Sequence, residues 1–274
     1  TGDFGVRGEV PSHPGLLDWL AEELVDSGWD LKVIHRLVVT SETYRQSSAA
    51  TKEQRTADPF NRFLSRADRS RLPAEQIRDL SLAAGGLLDQ RIGGVSVFPL
   101  QPGNYWGEKG QEKDSGKWVT SRGRDLYRRG LYTYWKRMAL YPSFWILDAP
   151  TRQVCTMSRA VTNTPIQALV TLNDPVFFEA SRGFASRVLK EAAPGLKARL
   201  RHAFLIALSR PPLQQEEEAF AALFASLSRR YKAAPEAAAR VHPGAAGLPA
   251  GAELAAWTIL SSTLLNLDEA ITRE

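Results

Sequence analysis

Cysteine occurs once in the chain, at Cys155, and methionine twice. A single thiol excludes an internal disulfide, a zinc site built on several thiolates and a C-x-x-C-H haem attachment. Histidine is almost as scarce. His13, His35, His202 and His242 are the only four, and no H-E-x-x-H or other close pair sets two imidazoles on one helical face. No metal centre and no cofactor are expected. No apolar run reaches the roughly 18 residues a membrane helix needs, so no membrane span is expected either. The opening TGDFGVRGEV lacks the basic-then-apolar layout of a signal peptide and reads as a cut inside a longer polypeptide. A G-x-S-x-G nucleophile elbow is missing, and Asp3-Phe4-Gly5 stands without the glycine-rich and H-R-D loops that a kinase requires.

What is present is ordinary in amount and uneven in placement. With 274 residues, 43% of them hydrophobic, the chain can close one large core or two smaller ones. We read it as a single domain over 1–274, helical in 1–88, irregular and rich in aromatics and basic residues in 89–161, and helical again in 162–274. The formal net charge is +5. Between Arg122 and Arg159 eight basic residues face only Asp125 and Asp148, so this segment carries +6 and the rest of the chain −1. Nine of the fourteen Trp and Tyr residues, from Tyr105 and Trp106 to Trp145, fall in the irregular segment 89–161 that contains it.

Helical signals are clear outside that region. PSHPGLLDWLAEELVDSGWD predicts a helix with Ser12 as N-cap, Pro14 in the first turn, an apolar stripe at Leu17, Leu20 and Leu24, and Gly28 as the stop. Asp30 then caps a second helix with Leu31, Ile34 and Val38 at helical spacing. A polar loop follows around 49–57. Pro73 opens a helix through Leu88 with Ile77, Leu80, Ala84 and Leu87 on one side. TNTPIQALVTLNDP predicts two helices meeting at an elbow: Thr164 to Gln167 form a capping box, and Asp174-Pro175 starts a longer helix that buries Phe177, Ala180, Phe184 and Val188. Further helices are expected over 195–209, 213–232 and 252–270, with a flexible segment at 233–251. In the middle third, short strands are expected at 94–98 and 130–137, the latter in competition with a helix. The fold class is mainly α: a compact array of eight to ten helices with an irregular aromatic-rich segment and minor β.

The aromatic and basic residues invite three readings. Ring faces stack on sugars while arginine forks bind carboxylate or sulfate, so an anionic polysaccharide suits them. The same residue types stack bases and neutralise phosphates in single-stranded nucleic-acid binders, a partner we do not expect here. Otherwise the rings pack an irregular core and the arginines pair internally. The candidate ligand-binding residues are Arg124, Arg128, Arg129, Tyr132, Tyr134, Trp135 and Arg137. Asp125, Asp148 and Asp174 are the acids a glycoside hydrolase would have to draw on, although Asp174 already serves as a cap. His13 and His35 read as structural, and Cys155 as a small buried hydrophobe.

PSHPGLLDWLAEELVDSGWDLKVIHRLVVTSETYRQSS, DPFNRFLSRADRSRLPAEQIRD, GGVSVFPLQP, RDLYRRGLYTYWKR, DAPTRQVCTMSRAVTNTPIQALVTLNDP and LLNLDEAITRE follow one another along the chain. In these stretches the sequence resembles the planctomycete-specific family of domains of unknown function 1553. The resemblance implies a module of a large exported protein of the periplasm or cell envelope, with upstream domains of the same polypeptide that include a c-type cytochrome-like one. It supplies no catalytic residues. The expected function is that of a non-catalytic scaffold or anionic-polysaccharide binder. The alternatives are a polysaccharide-active hydrolase and a docking module for the cytochrome-like partner.

Overall fold

The computed structural model describes residues 5–102, 118–136, 139–243 and 251–273. Tyr105, Trp106, Arg137 and most of the Asp3-Phe4-Gly5 triplet lie outside these residues. The chain divides into two units, Thr1–Arg71 with Thr272–Glu274, and Leu72–Ile271. Among the described residues there are twelve α-helices, nine of them seven residues or longer, and a single two-stranded sheet.

In the first unit α1 (Pro14–Asp26) and α2 (Leu31–Thr40) form where the apolar spacing predicts them. Gly28 and Trp29 adopt left-handed backbone, with φ of 70° and 65°. Their N–H groups donate to the carbonyls of Val25 and Leu24, which closes α1. The Asp30 carboxylate then accepts from the Lys32 N–H at 2.8 Å to open α2. The predicted Ser12 cap is corrected: His13 holds the cap position without a side-chain bond to the helix, and the Ser12 hydroxyl pairs with His13 Nδ1 instead. The polar stretch after residue 49 contains a helix, α3 (Lys52–Ala57). Its capping box is formed by Thr51 and Gln54. Strand β1 (Ser70–Arg71) pairs antiparallel with β2 (Thr272–Arg273).

The second unit holds α4 (Ala74–Ala84), α5 (Pro142–Ile146), α6 (Pro165–Asn173), α7 (Pro175–Glu191), α8 (Leu196–Leu208), α9 (Gln214–Ala233), α10 (Pro235–Val241), α11 (Gly251–Leu265) and α12 (Asp268–Ile271). Helix α11 is apolar on every side and buries ten residues, Trp257 among them, so it runs through the main core against α7, α9 and α10. All four residues predicted for the inner face of α7 are buried. Helices α4 and α7 touch backbone to backbone. A Cβ on Gly183 would stand 2.6 Å from the Gly85 carbonyl oxygen, so only glycine fits this crossing. Helix α10 occupies the start of the segment read as flexible. Pro235 begins it, and Ala238 anchors it in the core.

A second, aromatic core organises the irregular segment. Tyr134 stacks on Phe98, Phe98 meets Trp118 edge-on, and Trp118 stacks on Tyr141. Tyr141 and Trp135 both contact Phe144 of α5, with ring centroids 5.2 Å and 6.0 Å away. The expected strands reduce to isolated bridges, Val97 with Thr133 and Asp89 with Arg128. Residues Gly130–Tyr132 wind into a 3-10 turn, so Leu131 and Thr133, which an extended 130–137 would set on one face, part: Thr133 is buried while Leu131 is exposed. The turn forms because Gly130 sits directly on α4, where a Cβ would lie 2.9 Å from the Cα of Glu75.

Candidate functional site

The face of the irregular segment is set by one arginine that the sequence reading passed over. Arg78 lies on the buried side of α4 with Ala74, Ser81 and Leu82, at helical spacing that could have marked it. Its Nη1 donates to the Arg128 carbonyl at 2.6 Å and its Nη2 to that of Leu126 at 2.8 Å. The next residue, Asp79, accepts from the Gly130 N–H at 2.6 Å. Burial lowers the Arg78 pKa and raises that of Asp79. Together they fix 126–130 against the helix.

Outside this anchor lies a cluster of ions. Arg91 donates to Asp89 at 2.8 Å and to Asp125 at 2.6 Å, and Arg124 lies 3.4 Å from the same Asp89 oxygen. The Arg91 backbone N–H and guanidinium hold Asp89 below the usual carboxylate range. Arg128 is buried, 4% exposed. Its Nη2 donates to the carbonyls of Arg91 and Gly93, and its guanidinium lies 3.8 Å above the Tyr132 ring. The Tyr132 hydroxyl accepts from the Gly93 N–H. Among the predicted residues, then, Arg124, Arg128 and Tyr132 come together. Arg129 turns toward Asp79 at 3.9 Å. Tyr134 belongs to the aromatic chain, as does Trp135, which is half-buried with Arg152 stacked 4.1 Å above it. Arg137 lies outside the described residues.

A second feature is the TNTP segment. Asp148, in left-handed backbone, accepts from both the N–H and the hydroxyl of Thr162. Gln167 donates from Nε2 to the Ile146 carbonyl, Asp148 and Thr162, while its Oε1 accepts from the Thr164 N–H. The Gln half of the predicted capping box is thus made, and the same amide clamps the two ends of a long loop. Every residue from 151 to 166 is exposed. Cys155 is therefore corrected from a buried hydrophobe to an exposed thiol, because the clamp holds its loop away from the core. Asp174 is the elbow itself. Its N–H donates to Val170 at the end of α6, and its carboxylate caps α7 through Val176. Burial raises its pKa to about 6.

The acids named for hydrolysis each have oxygens engaged: Asp125 with Arg91, Asp148 with Thr162 and Gln167, and Asp174 at its cap. His13 and His35 are exposed, and His202 lies 3.5 Å from Glu191. His242 Nε2 pairs with the Ser186 hydroxyl at 3.2 Å, but its Nδ1 is buried with no acid to orient the ring. Burial lowers the pKa of that histidine. Among the described residues no three His, Cys, Asp or Glu side chains group to hold a metal, and no helix is long and apolar enough to cross a membrane. Compared with known proteins, residues 1–224 match the family model described as PSD1: Protein of unknown function (DUF1553). No curated protein and no solved structure matches the chain.

Proposed function

The chain belongs to the PSD1 (DUF1553) family, and because that membership carries no activity with it, we propose from its surface that it is a non-catalytic assembly module that holds a partner protein domain. The observation that carries this reading is the clamped loop with the outer face of α6. Val154, Met157, Val161, Ile166 and Leu169 are each more than half exposed, as is Trp145. An apolar surface of this kind marks an interaction site. The clamp ties the two ends of the loop together, which lowers the ordering entropy that binding must overcome. The partner we propose is a c-type cytochrome-like domain of the same polypeptide, and the setting is the cell envelope of an exported protein. Calorimetric titration of that domain into the chain tests this. Binding should weaken at least about tenfold in Met157→Asp/Ile166→Asp, the scale set by losing two buried apolar side chains. Equal affinity for wild type and the double variant would remove the reading.

A second reading has its own support. Arg91 and Arg124 are exposed at the ion cluster, and Arg129 and Tyr134 are exposed elsewhere on the same segment, a set of groups that suits an anionic polysaccharide. Titration with sulfated and uronic-acid polymers tests it, with Arg124→Gln and Tyr134→Ala as the informative variants. Binding indifferent to both changes would exclude this face.

A further inference from the structure

We infer that Arg128 forms the floor of a seat for one oxyanion group, a sulfate or carboxylate, at the Gly93–Gly94 turn. A guanidinium as buried as this one is ordinarily matched by a carboxylate, since an unpaired interior charge is costly. Here none is within ion-pair distance among the described residues. Asp89 goes to Arg91 and Arg124, Asp125 to Arg91, and Asp79 to Arg78 and Arg129. The protein supplies Arg128 with two carbonyls, both on Nη2, and with the face of Tyr132. Its Nε is buried without a partner, and its Nη1 donates to no described group.

The Nη1 side of Arg128 faces a glycine turn. Gly93 and Gly94 have φ of 82° and 91°, backbone that side chains rarely adopt, and a Cβ on Gly94 would stand 3.3 Å from Nη1. The turn thus brings bare backbone to the Nη1 side of the guanidinium, where an anion oxygen can accept from Nη1 while Nε stays covered. The guanidinium is already immobilised by Tyr132, which is in turn tied to the Gly93 N–H, so an arriving anion finds Arg128 in place. Arg124 is 79% exposed and held only loosely by an Asp89 that it shares with Arg91, so it is free to close over the group. Arg91, Arg124 and Arg128 against Asp89 and Asp125 leave one positive charge, which suits a single anionic group. The seat extends the polysaccharide reading by naming what the surface would grip, yet it does not depend on a polymer.

Inorganic sulfate, titrated into the full chain at constant ionic strength against chloride, tests the seat directly, with the arginine Nε–H resonances as readout. We expect saturable movement of one Nε–H signal that is missing from Arg128→Lys. Affinity should fall at least about threefold in Arg124→Gln and about tenfold in Gly94→Ala, the scale of one charge-assisted hydrogen bond. If Arg128→Lys fails to fold, Arg124→Gln carries the test from the surface, and Gly94→Ala, which strains its turn, counts where circular dichroism shows it folded. No saturable shift in the wild type, or undiminished sulfate binding by folded Gly94→Ala, overturns the seat. Binding of sulfate without any binding of sulfated or uronic-acid polymers supports the seat and overturns the polysaccharide reading alone.

Discussion

Replacing Asp174 with Asn should stabilise the protein above neutral pH and do almost nothing in acid. The carboxyl is buried between α6 and α7, and burial lifts its pKa to about 6. In the unfolded chain an aspartate titrates near 4. Between those values the folded state binds a proton that the unfolded state has released, so stability falls as pH rises through the window. The stability gained from a neutral Asp174 is complete below about pH 4 and gone above about pH 6 to 7. Two pKa units correspond to about 3 kcal/mol. Asn keeps a side-chain acceptor for the Val176 N–H, so the cap survives while the buried charge disappears. Urea unfolding of both proteins, followed by circular dichroism, should give a difference near zero at about pH 4 that widens to about 3 kcal/mol in favour of Asn by about pH 7.5. Asp79, also raised by burial, titrates in both proteins and cancels. A difference that stays flat with pH, or that favours Asp at the alkaline end, would refute the reasoning.

Gly130→Ala drives a methyl into the backbone of α4 at Glu75 and should cost about 1–3 kcal/mol. Gly15→Ala, in α1 with nothing near its Cβ, should gain up to about 1 kcal/mol. Thermal unfolding that moved both variants the same way would contradict the packing described. Gln167→Leu removes the amide that bridges Ile146, Asp148 and Thr162 and should cost about 1–3 kcal/mol, chiefly at the Ile146 carbonyl, since Asp148 and Thr162 keep their bonds to each other. Trypsin should then cut at Arg152 and Arg159 faster than in the wild type, and unchanged cleavage would show that the clamp does not order the loop. Cys155 should react with a disulfide reagent in the native chain at a rate within about tenfold of the unfolded one. Strong protection would contradict its exposure.

What the sequence disclosed and what it withheld separate along a physical line. Features built from neighbouring residues were legible. The elbow at Asp174, the inner face of α7, the stop at Gly28 and the cap at Asp30 all depend on groups a few residues apart. The capping box that starts α3 was equally local and carried the S/T-x-x-Q signal, but it stood in a polar stretch without an apolar face to suggest a helix. The candidate site depended on distance along the chain. Arg78 meets Leu126 and Arg128 across about fifty residues, and that contact decides which arginine is buried and which reaches solvent. Composition marked the region of Arg124 to Trp135 but could not sort it, since a ring that packs and a ring that binds look the same in sequence. Cys155 illustrates the same limit, because its exposure is decided by a clamp twelve residues away at Gln167.

The seam between β1 and β2 carries a consequence for the order in which the chain folds. Leu72 and Ile271 are joined by a backbone bond at 2.8 Å, and the two-residue ladder of Ser70–Arg71 with Thr272–Arg273 lies just outside it. Everything from residue 72 to 271 leaves and returns through that one doorway. Closing an unstructured excursion of about 200 residues costs on the order of 5 kcal/mol in chain entropy, more than so short a ladder can offset. The ladder must therefore wait until the inserted unit has collapsed and brought its own ends together, so it completes folding and cannot nucleate it.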